Sequence, residues 1–137
     1  MEDCVFCKIA AAEIPSVKVY EDDKFLAFMD INPLGKGHCL LIPKDHHQDI
    51  FDMPETLLRD LIAVSKRVAQ GIKNGLNAEG MYIWQANGRA AAQLIPHYHM
   101  HFLPRWKDDN LTIGTWEPVP GDMEEIQAAA KEIKKGF

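Results

Sequence analysis

Three histidines alternate with large side chains in the sequence His-Tyr-His-Met-His at positions 97–101. Alternate residues of a β-strand project from one face, about 6–7 Å apart, so a strand here would place His97, His99 and His101 side by side. Neighbouring imidazoles discourage one another from being charged, and neutral imidazole is both a nucleophile and a metal ligand. From the histidines alone, nucleophilic attack on phosphorus and metal ligation are equally supported.

The three cysteines offer a second group with possible chemistry. Cys4 and Cys7 form a Cys-x-x-Cys pair, whereas Cys39 lies in an apolar run and is expected to be buried and inert. The N-terminus has no basic region before an apolar run, so we expect no signal peptide, a cytoplasmic location and reduced thiols. Under those conditions the pair is either half of a metal site or a redox pair.

The composition excludes two classes of partner. The chain has 137 residues, of which 47% are hydrophobic and 26% charged, and its net charge is −5. Clustered Lys and Arg supply much of the affinity for a polynucleotide, so we expect no nucleic acid polymer as a partner of this acidic chain. We expect no membrane partner either, because the sequence contains no run of about 18 apolar residues.

Short apolar stretches separated by turn-forming residues predict five β-strands. They cover residues 17–21, 25–29, 38–43, 81–85 and 97–103. Consecutive strands are joined mostly by short turns, and the helical segments lie apart from them. This order predicts an α+β fold built on a five-stranded antiparallel sheet.

The helices are predicted from apolar residues at helical spacing. A long central helix begins near Pro54 and is expected to stop at Gly75, and shorter helices are expected over 6–12 and 122–135. The whole chain is expected to be one domain, with a core at about residues 4–105 and a C-terminal arm and helix over 106–137.

The histidine segment, from Asn87 to Arg105, closely resembles the signature of the histidine triad (HIT) superfamily. The first half of the chain is similar to the Hint-like branch of that superfamily in four places. These are Cys-Val-Phe-Cys-Lys-Ile at 4–9, Glu-Ile-Pro at 13–15, Val-Tyr-Glu-Asp at 19–22 and Gly-His-Cys-Leu-Leu-Ile-Pro-Lys at 37–44. The resemblance implies a five-stranded antiparallel sheet with helices and, usually, a homodimer.

The resemblance also implies a reaction. The middle histidine, His99, would attack the α-phosphate of a nucleotide and form a nucleotidyl-histidine intermediate, which water then hydrolyses. His101 would contact the phosphate and assist proton transfer. The implied substrate is a purine nucleotide or nucleoside phosphoramidate, and adenosine 5'-monophosphoramidate hydrolysis with release of AMP is the leading hypothesis.

Three other functions stay open at this point. The same chemistry could act on dinucleoside polyphosphates, as in the fragile-histidine branch. The chain could instead be a non-catalytic purine-nucleotide sensor, or a metal carrier that uses the histidine face.

Three further residues match nucleotide-binding positions of the superfamily. The resemblance implies that Asp30 accepts hydrogen bonds from the ribose hydroxyls, that Gln93 donates to a phosphate oxygen, and that Asn87 belongs to the binding loop. Four apolar side chains could line a base pocket or could simply be core: Phe6, Ile9, Phe28 and Ile31.

Two residues beside Gln93 depart from the superfamily pattern. Ala92 stands where glycine is common, and Leu94 stands where serine or threonine is common. The missing hydroxyl at position 94 puts the catalytic rate and the leaving-group preference in doubt, but not the nucleophile.

Several bacterial Hint-like proteins bind a structural zinc ion, and the resemblance extends this site to the present chain. The implied ligands are Cys4, Cys7, His46 and His97. His47 and His38 are rivals of His46. Four protein ligands leave no open position for water, so the zinc would be structural. No organic cofactor is expected.

Overall fold

Five strands form one antiparallel sheet in the computed structural model, which describes residues 3–112 and 120–137. The strands are β1 (Lys18–Glu21), β2 (Phe25–Met29), β3 (Cys39–Pro43), β4 (Gly80–Trp84) and β5 (Met100–Arg105). Their order across the sheet is β1-β2-β3-β5-β4, and every neighbouring pair is antiparallel. The predicted α+β class and the five-stranded sheet are therefore confirmed.

Within the described residues, three α-helices accompany the sheet: α1 (Val5–Ala10), α2 (Glu55–Leu76) and α3 (Met123–Lys134). The long helix continues one residue beyond its predicted stop at Gly75, because Asn77 adopts the left-handed conformation that ends it (φ 53°). Asp122 caps α3 by accepting a hydrogen bond from the amide of Glu124. No helix in the described ranges is long and apolar enough to span a membrane.

The two faces of the sheet pack against different helices. Side chains that point to one face of the central strands pack on the apolar face of α2; they include Phe25, Leu41, Met100 and Phe102. Their neighbours in sequence point to the other face and pack with α1; they include Leu26, Phe28, Leu40 and Ile42. The central strands are thus buried on both sides, which makes a rigid base for the histidines on the α1 side.

The last predicted strand begins later than expected. β5 starts at Met100, whereas the prediction placed its start at His97. The preceding backbone bonds to loops, since the amide of His97 donates to the carbonyl of Ile95 and that of Tyr98 to the carbonyl of His47. The alternation of sides nevertheless holds, with Tyr98 buried in the core on the α2 side.

The C-terminal segment contributes little to either core. No residue of α3 is buried, and its apolar residues Met123, Ile126 and Ile133 are half or more exposed. Residues 113–119, which belong to the predicted C-terminal arm, lie outside the described residues.

Candidate active site and metal centre

His99 lies almost completely buried between α1 and the sheet, and its protonation is set by one backbone group. Its Nδ1 lies 2.8 Å from the carbonyl oxygen of His97. A carbonyl can only accept, so Nδ1 carries the proton and Nε2 of the neutral ring keeps its lone pair. Phe6 from α1 packs edge-to-face on the ring, with centroids 5.1 Å apart. His99 therefore presents an unprotonated nitrogen to the site.

His101 receives a hydrogen bond from a fourth histidine. The amide of Leu34 donates to Nδ1 of His38 over 3.0 Å, so the proton of His38 must be on Nε2. That Nε2–H lies 3.0 Å from Nδ1 of His101 and donates to it. The proton of neutral His101 is then on Nε2. Nucleophile and partner thus show opposite tautomers, one offering a lone pair and the other an N–H.

Burial keeps these histidines neutral in the free protein. It lowers the pKa of His101 to about 4, with smaller contributions from His99 and His38, while the carboxylate of Asp30 acts in the opposite direction. Burial also lowers the pKa of His99 and of His38. Near pH 7 the unprotonated Nε2 of His99 is therefore the dominant form, without a separate base to deprotonate it.

Asp30 comes directly after β2 and lies beside the His38–His101 pair. One carboxylate oxygen accepts a hydrogen bond from the amide of Asn32 over 2.8 Å, and the other lies 3.6 Å from Nε2 of His38. This carboxylate is only 17% exposed. The second oxygen faces the histidines and can accept from a ligand hydroxyl.

Asp30, His38 and His101 are close enough to suggest a metal site, since one donor atom from each lies within 4.8 Å of the others. The tautomer of His38 argues against it. Because the Leu34 amide donates to Nδ1, Nε2 carries a proton and has no lone pair for a metal. The group is better suited to passing a proton than to binding a cation.

Gln93 is buried and its amide group is fully used within the chain. Its nitrogen donates to the carbonyls of Gln48 (2.7 Å) and Ile95 (3.1 Å), and its oxygen accepts from the amide of Gly88 (2.7 Å). The phosphate contact predicted for Gln93 would require it to give up one of these bonds. In this structure Gln93 instead holds the loop before the histidines in place.

Asn87 has a similar structural task. Its side-chain oxygen accepts from the amide of Ile50 over 2.8 Å, and its nitrogen donates to the side chain of Gln85 over 2.8 Å. One N–H of the amide is left for a ligand. Asn87 therefore ties the loop after β4 to the loop after β3, and its predicted role in nucleotide binding stays a prediction.

The two residues that depart from the superfamily pattern take unusual positions. Ala92 adopts a left-handed conformation, with φ 65° and ψ 31°, which favours glycine. Leu94 is 88% exposed, which is uncommon for a large apolar side chain. The backbone thus has the shape that a glycine would favour, and an isobutyl group projects where a hydroxyl was expected.

The four candidates for a base pocket separate into two kinds. Phe6, Ile9 and Phe28 are buried in the core on the α1 side, which was one of the two alternatives for them. Ile31 follows Asp30 and is 84% exposed. Of the four, Ile31 is the side chain that is free to cover a base.

The four residues expected to bind zinc come together, although they are far apart in the sequence. One donor atom from each of Cys4, Cys7, His46 and His97 lies within 4.8 Å of the other three. The sulfur of Cys7 is 3.2 Å from Nδ1 of His46 and 3.5 Å from Nδ1 of His97. A tetrahedral zinc site places its ligand atoms about 3.3–3.8 Å apart, so these donors need little movement to close on an ion.

Each ligand is held by its local structure. Cys4 is the N-cap residue of α1, and its sulfur accepts from the amide of Cys7 over 3.4 Å. The Nε2–H of His97 donates to the carbonyl of Pro43 over 2.8 Å, which leaves the Nδ1 lone pair toward the sulfurs. Burial raises the pKa of Cys7 to about 11, so a binding metal ion must displace the thiol proton.

The structure also separates His46 from its two rivals. His38 belongs to the reaction cluster described above. The Nδ1 of His47 lies 3.9 Å from the carboxylate of Asp52. The remaining cysteine, Cys39, is 1% exposed, and burial raises its pKa to about 11, which confirms the prediction that it is buried.

Two residues of the site were missed by the sequence interpretation. His38 was considered only as a rival zinc ligand. It lies directly before β3, beside β5, where it donates a hydrogen bond to His101. Trp84 of β4 is directly opposite His101 in the sheet, and its indole stacks on that imidazole, with centroids 4.5 Å apart and planes at 3°. The order of strands in the sheet was needed to find it.

Comparison with known proteins identifies the family. Residues 11–108 match the HIT domain, so the chain belongs to the HIT family. It is 36% identical to the protein hit of Bacillus subtilis, over 98% of this chain and 94% of that one. It is 34% identical to a Candida albicans protein named adenosine 5'-monophosphoramidase, over 96% of this chain and 90% of that one.

Solved structures show the same fold. A HIT family member from Bacillus subtilis superimposes with a TM-score of 0.89 at 34% identity, covering 98% of this chain and 97% of that one. A zinc-bound histidine triad family protein from Mycobacterium smegmatis gives a TM-score of 0.78 at 35% identity, with 99% of both chains covered. The identification of the chain as a HIT superfamily member is therefore confirmed.

Proposed function

We propose that this protein hydrolyses adenosine 5'-phosphoramidates and releases AMP, through a nucleotidyl intermediate on His99. The observation that carries the proposal is the tautomer of His99, whose Nδ1–H is bound to the carbonyl of His97 so that Nε2 is unprotonated. The name of the Candida albicans relative supports the choice of substrate.

The reaction proceeds in two displacements at phosphorus. In the first, Nε2 of His99 forms a bond to the α-phosphorus and the P–N bond of the substrate breaks. A bound phosphate anion favours the charged form of His101, so His101 takes up a proton on Nδ1 with the substrate and its Nε2–H protonates the departing amine. The Nε2–H of His38 then turns from Nδ1 of His101 to the carboxylate of Asp30, 3.6 Å away. In the second, water attacks, the His99–phosphorus bond breaks, and the proton of water returns to His101 as AMP forms.

Asp30 and Ile31 fit the nucleoside half of this substrate. The carboxylate of Asp30 accepts from the ribose hydroxyls, and the exposed side chain of Ile31 covers one side of the base. Adenine is chosen because of the named relative, since the apolar surface beside Asp30 does not distinguish purines by itself.

The test is AMP release from adenosine 5'-monophosphoramidate by the wild type and by His99→Ala, together with AMP binding by calorimetry. We expect release by the wild type, none by the variant, and AMP binding by both. Binding without release in the wild type would overturn the hydrolase proposal.

A second candidate is a nucleotide sensor that keeps the pocket without turnover. Leu94 favours it, because an exposed isobutyl group cannot donate to a phosphate or leaving group. If the wild type is inactive and Leu94→Ser gains activity, the sensor is the better description. Dinucleoside polyphosphates are tested in the same assay as an alternative substrate.

We further propose that Cys4, Cys7, His46 and His97 bind one structural Zn²⁺. Two thiolates and two imidazoles in this arrangement suit zinc, and the zinc-bound relative supports the choice of metal. Such a site requires reduced cysteines, in keeping with the proposed cytoplasmic location. Metal analysis should find one zinc ion per chain.

We also propose a homodimer formed through the β4 edge of the sheet. Tyr82 and Ile83 of this edge strand are 39% and 44% exposed, and Ile62 of α2 is 60% exposed. An exposed edge strand with apolar side chains is a favourable surface for pairing with a second copy. Sedimentation equilibrium tests the proposal, since Ile62→Asp should shift the mass toward that of one chain.

A further inference from the structure

Trp84 and His101 form a stacked pair across two neighbouring strands. They are direct partners in the register of β4 and β5, with ring centroids 4.5 Å apart and planes inclined by 3°. Trp84 is partly buried, and Tyr82, two residues earlier on the same face, contacts it with centroids 5.0 Å apart. The indole is therefore held between a neighbouring aromatic ring and the imidazole.

The orientation of the His101 imidazole decides where its Nε2–H points. Among the described residues its side chain has one hydrogen bond, from Nε2 of His38 to its Nδ1. A single hydrogen bond at one nitrogen fixes the distance but allows the ring to tilt about the bond. A parallel aromatic surface restricts that tilt, because stacked rings prefer parallel planes at this spacing. The rings of His99 and His38 also contact the imidazole, with centroids 4.9 and 5.2 Å away, but they meet it at an angle. The indole is the parallel surface that restricts the direction of the Nε2–H.

We infer that Trp84 is a positioning residue, which holds the imidazole of His101 in the plane where its Nε2–H meets the phosphate and the leaving group. The inference rests on the proposed function, in which His101 exchanges that proton with the substrate. A general acid displaced by about 1 Å can lose two orders of magnitude in rate. The role is separate from nucleotide binding, because the indole acts through His101.

Stacking on the substrate base is the competing role for a tryptophan near a nucleotide site. His101 lies parallel against one indole face, and Tyr82 covers a further part of the ring. Asp30, the proposed ribose contact, comes from the end of β2, whereas Trp84 is on the edge strand β4, two strands beyond β3. The position and the covered face both favour the positioning role.

The experiment compares Trp84→Leu, Trp84→Phe and the control Trp106→Leu, which removes an indole whose Nε1–H bonds to the carbonyl of Asn77 and not to the reaction cluster. Steady-state kinetics with adenosine 5'-monophosphoramidate give kcat and KM, and calorimetry gives the Kd for AMP. We expect Trp84→Leu to lower kcat about tenfold, with KM and Kd within about twofold of the wild type. The loss of one stacked aromatic pair corresponds to a change in rate of about twofold to tenfold. Trp84→Phe should recover most of kcat, and Trp106→Leu should stay near the wild type.

NMR of the imidazole protons supplies a readout that does not depend on turnover. An indole face shifts the resonances of a ring stacked on it upfield, so the His101 protons of the wild type should be shifted upfield and should return toward ordinary values in Trp84→Leu. This measurement on the wild type also holds if Trp84→Leu fails to fold.

The outcomes separate the inference from the function on which it rests. An inactive wild type with the expected His101 shifts would overturn the proposed hydrolysis and leave the stacking geometry established. Unshifted His101 protons in the wild type would overturn the inference. So would a rise in KM and Kd at constant kcat in Trp84→Leu, since that pattern indicates direct contact with the nucleotide.

Discussion

Two clusters of imidazoles lie side by side in this protein, and they use their nitrogens in opposite ways. In the cluster with the cysteines, the Nε2–H of His97 is bound to the carbonyl of Pro43 and Nδ1 faces the sulfurs. In the reaction cluster, the Nδ1–H of His99 is bound to the carbonyl of His97 and Nε2 is left for the substrate. His97 and His99 are only two residues apart, but a different ring nitrogen of each is bound to a carbonyl. This difference suits His97 to a metal ion and His99 to attack on phosphorus.

The two clusters are physically connected through His97. His97 contributes its ring to the candidate zinc site and its carbonyl to the nucleophile, so a metal ion that holds His97 also holds the acceptor that sets the tautomer of His99. The connection predicts an asymmetry: damage to the reaction cluster should spare the metal, whereas damage to the metal cluster should affect both.

The largest effect is expected from His99→Ala. Removing the nucleophile should lower AMP release by about 10³-fold or more, because no other group in the site takes its place. The zinc content, measured by elemental analysis, should stay equal to that of the wild type. A variant that loses zinc together with activity would show that the clusters are coupled in both directions.

Loss of zinc through His46→Ala is expected to reduce stability and, through His97, activity. A ligand present at about 10³ times its dissociation constant stabilises the folded state by about 4 kcal/mol, and most of this should disappear. Thermal unfolding and metal analysis measure the change. The adjacent His47→Ala is the matched control and should retain zinc, and the ligand assignment is wrong if the two variants exchange their behaviour.

A smaller effect on rate is expected from His38→Ala. Without the Nε2–H of His38, the Nδ1 of His101 loses the hydrogen bond that selects its tautomer, and proton transfer should slow by about 10²-fold. AMP release measures this effect, and zinc content should not change. An unaltered rate would mean that His101 is oriented without His38.

The smallest effect concerns Ala92, in the loop that leads to both clusters. Replacing Ala92 by Gly relieves a left-handed conformation but adds freedom to the unfolded chain, so we expect a net gain of about 0.5–1 kcal/mol in the free energy of unfolding. Chemical denaturation measures the gain. A loss of stability would mean that the methyl group of Ala92 makes compensating contacts.

Much of the fold was predictable from the sequence, because the responsible signals are local. The alternation of histidines with Tyr98, Met100 and Phe102 defines two faces whatever the strand pairs with, and this held even where β5 begins late. The apolar spacing of α2 likewise predicted its burial. The C-terminal boundary of α2 was less accurate because Gly75 and Asn77 are both suitable terminators, and it is Asn77 that takes the left-handed conformation.

The chemistry of the site needed the tertiary structure. Sequence could name the histidines, but the tautomers depend on which carbonyl or amide each ring meets: Pro43 for His97, and Leu34 for His38. The grouping of His46 with the cysteines depends on the path of the loop after β3, and the use of the Gln93 amide depends on Gln48, 45 residues away.

By itself, then, the sequence determined the family, the two-faced histidine strand and the set of residues able to react or to bind metal. The tertiary structure decided which nitrogen of each imidazole is free, which histidine joins the cysteines, and that Trp84 covers His101. The physical reason is the range of the interactions. Periodicity and residue type act along the chain, whereas hydrogen-bond direction and ring stacking arise only when distant segments meet.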